Sequence, residues 1–190
     1  CESSTYTLST ATATDYTSLL WTSSGTGTFD DATILAATYT PSAADIAAGS
    51  VTLTLTAQSA APCVEASDAM VLTISLQATA DAGVDATICE GSTYTLSTAV
   101  ATNAATILWS TSGTGSFSST SVQNPVYTPS QNDIDDGSVI LTMTVTSASP
   151  CVGDVDQMTL TINPQAIVSA GTDATICESS TYTLSTATAT

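Results

Sequence analysis

The stretch VILTMTV, residues 139–145, decides the fold. Val139, Leu141, Met143 and Val145 fall on one side of a two-residue period, and mostly threonine falls on the other. A helix would repeat its apolar positions every three or four residues, so the pattern predicts a half-buried strand. Threonine suits the outer side, because its branched Cβ fits a pleated surface. Eighty-eight residues earlier the chain reads VTLTLTA, residues 51–57, with the same alternation. That offset is the period of the chain. Residues 1–88 align with 89–176 at 49 identical positions without a gap, and CESSTYTLSTATAT of residues 1–14 returns unchanged at 177–190. A period of 88 suits a whole small domain rather than a solenoid unit. Two periods plus 14 residues of a third lead to the expectation that the stretch belongs to a longer array.

The second copy supplies the remaining elements. Ala80–Ile88 and Thr93–Ala99 read as strands, the latter with Tyr94 and Leu96 on one face. Thr106–Ser110 follows, with Ile107 and Trp109 inward. SGTGSF, 112–117, is a glycine-bearing turn ahead of Phe117. Pro125–Thr128 places Tyr127 on a short strand, and Met158, Leu160 and Ile162 alternate with threonine in the last one. One segment breaks the pattern in both copies: TPSAADIAAGSV at 40–51 and TPSQNDIDDGSV at 128–139. Ser42 and Ser130 are each followed three residues later by Asp45 and Asp133, as in a capping box, and Gly49 and Gly137 suit a left-handed helix end. A single helical turn is expected there, with Ile46 and Ile134 plugging into the core.

Linkers are expected near Gln77–Ala78 and Pro164–Gln165. Residues 1–77 then form an Ig-like repeat lacking its first strand, 78–164 a complete repeat, and 165–190 the N-terminal part of a third. About seven short strands and a core tryptophan predict an all-β chain of tandem immunoglobulin-like β-sandwich domains in a head-to-tail rod. The antibody order of cysteine, tryptophan and cysteine is not reproduced, since Cys89 precedes the second strand and Cys151 lies in the last turn.

The charge balance excludes several functions. There are 17 acidic residues and no lysine, arginine or histidine. Phosphate backbones and anionic lipid surfaces need cations on the protein, so no nucleic acid is expected as a partner. No catalytic histidine, lysine crosslink or salt bridge can form. No apolar run approaches the roughly 20 residues that span a bilayer, so no membrane insertion is expected. Trypsin-like proteases find nothing to cut, which suits exposure outside a cell. Five cysteines without histidine or a C-x-x-C pair favour disulfides in an oxidising compartment over zinc.

The strings AGVDATICEGSTYTLSTA (82–99), LWSTSGTGSF (108–117), NPVYTPSQNDIDDGSV (124–139) and SPCVGDVDQMTLTI (149–162) resemble the PKD-like, Ig-like repeats of giant cell-surface adhesins of Bacteroidetes, of the gliding-motility type. The resemblance runs through the whole chain. It implies type IX secretion, an extracellular cell-surface location, and long filaments that contact substrata. It implies no catalytic residues.

Two cysteine pairings fit. Within a repeat, Cys1 would bond Cys63 and Cys89 would bond Cys151, leaving Cys177. Between repeats, Cys1 would bond Cys151, Cys63 a preceding repeat, and Cys89 and Cys177 following ones. An Ig-like topology tilts toward the second. It puts the turn after the first strand and the turn before the last at opposite ends, about 26 Å apart for eight residues, whereas a disulfide needs Cα atoms within roughly 7 Å.

Acidic residues could hold calcium, and a repeat-linked site must recur. Glu2/Glu90/Glu178, Asp45/Asp133, Asp68/Asp156 and Asp85/Asp173 do so, without a D-x-D-x-D cluster. They read as solvated charge, with Asp85 and Glu90 as the calcium candidates. No catalytic residue and no cofactor is expected. The function expected is that of structural stalk repeats in a secreted adhesin filament, for attachment or gliding, with neighbouring repeats of the same chain as partners and an external surface or polysaccharide beyond them. The alternative is a carbohydrate-binding module acting by avidity, for which Trp21 and Trp109 would need to be exposed. Ice binding on Thr52, Thr54 and Thr56 is a further alternative.

Overall fold

The computed structural model describes residues 1–2 and 4–189. The chain is all-β, with strands over 40% of it and helix over 6%. Its strands are β1 (Tyr6–Thr7), β2 (Ser18–Ser23), β3 (Thr28–Phe29), β4 (Thr38–Thr40), β5 (Ser50–Gln58), β6 (Ala66–Thr73), β7 (Thr79–Asp81), β8 (Ala86–Cys89), β9 (Tyr94–Thr95), β10 (Val100–Thr102), β11 (Thr106–Thr111), β12 (Ser116–Phe117), β13 (Val126–Thr128), β14 (Ser138–Thr146), β15 (Asp154–Asn163), β16 (Val168–Ser169) and β17 (Thr188–Ala189). Two single-turn helices, α1 (Ala43–Ala48) and α2 (Gln131–Asp136), precede β5 and β14. The chain splits into two compact units, residues 1–81 with 100–108 and 143–156, and residues 82–99 with 109–142 and 157–190.

The first repeat is a β-sandwich of two three-stranded sheets, ordered β2-β5-β6 and β1-β4-β3. Between them lies a core of Leu8, Leu19, Trp21, Tyr39, Val51 and Leu53. β5 pairs antiparallel with β2 (Trp21 opposite Leu55) and with β6 (Leu53 opposite Met70). In the second repeat the order is β11-β14-β15-β8 on one sheet and β12-β13-β9 on the other. The period-two pattern of β14 is realised: Val139, Leu141, Met143 and Val145 are all buried. Trp109 is buried too, and its Nε1–H donates to Val122 O at 3.1 Å. Phe117 sits between Trp109 and Tyr127, with ring centroids 5.8 and 4.9 Å away.

Two expected strands are broken. Ala80–Ile88 is not one strand but two, because Gly83 at φ +89° turns the chain where a Cβ would strike Thr98. β7 pairs antiparallel with β10, Ala80 opposite Ala101, whereas β8 runs parallel to β15, Ile88 opposite Ile162. Thr93–Ala99 likewise gives only β9, with pairing resuming at β10. Leu96 is buried there and Tyr94 half-buried.

The helical turns follow their residues closely. Ser42 and Ser130 are N-caps with reciprocal capping boxes, and Gly49 and Gly137 close the turns at φ +75° and +73°. Ile46 packs half-buried against the first core, and Ile134 is half-buried.

Candidate functional site

Two constellations stand out. The first surrounds Asp45 and its counterpart Asp133. A third-position Asp in a capping box is short, so its carboxylate stays close to the backbone it caps. Asp45 Oδ2 accepts from Ser42 N at 3.0 Å and from Tyr39 Oη at 2.7 Å. The SGTG turn comes to the same group, with Thr26 N donating to Oδ1 at 3.0 Å and Gly27 N to Oδ2 at 2.9 Å. Asp133 repeats the set with Ser130, Tyr127, Thr114 and Gly115, at 3.0, 2.7, 2.9 and 3.0 Å. Glycine is required at Gly25 and Gly113, where a Cβ would collide with the carboxylate.

These two aspartates are 3% and 1% exposed, which corrects their reading as solvated charge. Burial alone would raise the pKa of Asp45, but the hydrogen bonds from Ser42, Tyr39, Thr26 and Gly27 outweigh it and bring it down to about 2. Asp133 is lowered by the same balance. Burial pushes the Tyr127 phenol up to about 12, with the Asp133 carboxylate adding to the rise. The carboxylate has no free face for substrate and acts as a fastener between turn, helix and strand. The sequence carried one signal for it: SGTG and S-x-x-D recur together in both copies.

The second constellation surrounds the cysteines. A disulfide joins Cys1 to Cys151 across 150 positions of sequence, with Cα atoms 5.0 Å apart. Cys63, Cys89 and Cys177 are exposed free thiols. Beside the disulfide, Glu2 N donates to Ser75 O at 3.0 Å. The next residues along the chain are held by the second repeat: Asn103 Nδ2 donates to Gln77 O at 3.2 Å, Ala78 N to Ser147 Oγ at 2.8 Å, and Ala80 N to Asp154 Oδ2 at 3.0 Å. The Ala80 and Val155 backbone N–H groups lower the Asp154 pKa. Gln77–Ala80 is therefore a pinned segment rather than a free tether.

The two calcium candidates sit on either side of β8, Asp85 bonded through its carboxylate and Glu90 through its backbone. Asp85 Oδ1 accepts from Thr159 N at 2.7 Å, and Glu90 N donates to Asn163 O at 2.9 Å, so both tie β8 to β15. Among the described residues, no three His, Cys, Asp or Glu side chains group as a metal would need. Trp21 and Trp109 are core residues rather than sugar platforms, and the exposed aromatics are Tyr6, Tyr16 and Tyr182. No helix among the described residues is long and apolar enough to cross a membrane.

No family model and no curated protein matches the chain. Solved structures do. The protocadherin GammaB4 extracellular domain matches over 90% of this chain and 34% of its own, at 10% identity and TM-score 0.41. Human protocadherin-24 EC1-2 matches over 77% and 82%, at 8% identity and TM-score 0.39. Mouse PcdhgC3 EC1-3 matches over 83% and 55%, at 13% identity and TM-score 0.38. The chain thus spans about a third of the first of these structures and about half of the third.

Proposed function

We propose that these are structural repeats of an extracellular adhesion protein, serving as the stalk of a secreted cell-surface filament used for attachment or gliding. The observation that carries this reading is the Cys1–Cys151 disulfide together with the pinned Gln77–Ala80 segment. A chain whose task is to hold distance benefits from fixed joints, and nothing in that segment forms a cleft with catalytic groups. The boundaries proposed for the array are 1–77, 78–164 and 165–190. The Cys1–Cys151 pattern extends by the period, with Cys63 bonding a preceding repeat and Cys89 and Cys177 following ones. Support comes from the recurrence of the local geometry. Glu90 N reaches Asn163 O as Glu2 N reaches Ser75 O, and Cys63 N reaches Ala60 O as Cys151 N reaches Ala148 O. A chain without cations and with net charge −17 is kept apart from its copies and from anionic surfaces.

The test is a binding measurement on this chain with the disulfide intact. Titration against soluble and immobilised polysaccharides should give no saturable signal. A dissociation constant below about 1 mM, removed by substituting Tyr6 or Tyr16, would establish the carbohydrate-binding module instead.

A further inference from the structure

Asp85 and Glu90 recur at the offset of 88 as Asp173 and Glu178, and the residues between them read Ala-Thr-Ile-Cys in both places. A calcium site does not account for that recurrence, but the pairing of β8 does. β8 runs parallel to β15, whereas the β7–β10, β12–β13 and β9–β13 pairs are antiparallel. Four residue pairs join β8 to β15, from Ala86 opposite Leu160 to Cys89 opposite Asn163. One further bond closes the ladder at each end. At the leading end Thr159 N donates to Asp85 Oδ1 at 2.7 Å, and at the trailing end Glu90 N donates to Asn163 O at 2.9 Å. Asp85 thus extends the ladder with its carboxylate, one residue before the backbone enters the strand.

Direction decides what such a ladder does under tension. β8 lies near the start of the second repeat and β15 is its last strand. Tension therefore draws β8 backwards from Asp85 and β15 forwards from Asn163. Because the strands are parallel, those two points lie at opposite ends of the ladder, four residue steps or about 13 Å apart. The pull then runs along both strands in opposite senses and loads every bond at once. In an antiparallel pair the same two points would lie side by side, and the bonds would open one after another. Collective rupture has the higher barrier, and forced unfolding follows that barrier.

We propose that the β8–β15 ladder is the tension clamp of the repeat, and that Asp85 locks its leading end. The burial pattern agrees with this division of labour. β8 contributes only half-buried Ala86 and Ile88, with Thr87 and Cys89 exposed, so backbone bonds hold it to β15 more than core burial does. The trailing bond recurs in the first repeat, where Glu2 N reaches Ser75 O at 3.0 Å. The inference deepens the stalk reading and rests on it for its purpose, while the force that opens the ladder is measured without reference to any ligand.

The test is single-molecule extension of this chain between handles on azide-bearing residues. Handles in place of Val84 and Gln165 draw the two strands past each other. Handles in place of Ser92 and Gln165 sit at one end of the ladder and peel it open. At equal loading rate the sliding geometry should need at least about twice the force of the peeling geometry, with the Cys1–Cys151 bond intact and after its reduction and alkylation. Asp85→Ala should lower the sliding force and leave the peeling force unchanged, with the larger loss in the reduced chain, where no bridge shares the pull. Asp85→Asn keeps an acceptor oxygen and should restore the sliding force. Equal forces in the two geometries, in either redox state, would overturn the clamp. An Asp85→Ala chain whose sliding force is unchanged after reduction, or whose two forces fall alike, would overturn the part assigned to Asp85.

Discussion

Asp45 and Asp133 show how much depends on one side chain. Each is a buried anion in a protein without a cationic side chain, so hydrogen bonds hold its charge. Removing the carboxylate leaves three backbone N–H groups without their acceptor and the tyrosine phenol with only its serine or threonine partner. Asp133→Ala should therefore cost about 4 kcal/mol in urea unfolding. Gly113→Ala should be destabilising in the same assay, since its methyl group must displace the same carboxylate. Asp135→Ala, on the exposed side of the same turn, should change little. The pH dependence has a definite sign. The folded pKa of Asp45 lies below its ordinary 3.8, so its stabilisation is complete above about pH 4 and disappears as pH falls toward 2. Acid unfolding followed by tryptophan fluorescence should place the loss in that window, and Asp45→Asn should flatten it. The capping role of these residues was legible from Ser-x-x-Asp. Their burial was not, because the other donors come from Thr26 and Gly27, 19 and 18 residues upstream, and no periodicity links a turn to a distant carboxylate.

At the scale of elements, the alternation in residues 139–145 was sufficient, because a strand packed on one face writes its burial into every second residue. The strand expected over Ala80–Ile88 failed for the complementary reason. It changes partners midway, from β10 to β15, and the only mark of the change is Gly83. A positive φ at that point, with Thr98 close by, makes Gly83→Ala strained in backbone and in space. Gly49 separates the two effects. A Cβ there meets nothing within 4 Å, yet φ is +75°. Gly49→Ala should thus cost about 1 kcal/mol through backbone conformation alone, and Gly49→Asn should recover part of it in thermal denaturation.

For the whole molecule, the repeat was legible from the offset of 88, and the composition excluded partners that need cationic side chains. Which cysteines meet was not fixed by spacing, since both pairings obey the period. It is decided by which turns come near each other, and that depends on how Gln77–Ala80 is pinned by Asn103, Ser147 and Asp154. Reduction should lower the stability of the chain by up to about 5 kcal/mol in the chain-entropy picture for so long a closed loop. Urea melts with and without a reductant, on protein with the other thiols alkylated, measure the difference. Asp154→Ala should loosen the same segment without breaking the covalent link, seen as faster amide exchange at Ala80.

The bond between Cys1 and Cys151 also sets how the chain responds to a pull on its two ends. A pull applied between residues 1 and 190 crosses the sulfur bridge to residue 151, so the 149 residues between the two cysteines are mechanically silent. Only residues 152–190 can pay out, roughly 130 Å of contour length at full extension. Once the bridge is reduced, roughly 500 Å more becomes available. Single-molecule extension traces should show the short limit in oxidising buffer and the long one after reductant. Thiol chemistry thus sets the reach of this chain under load.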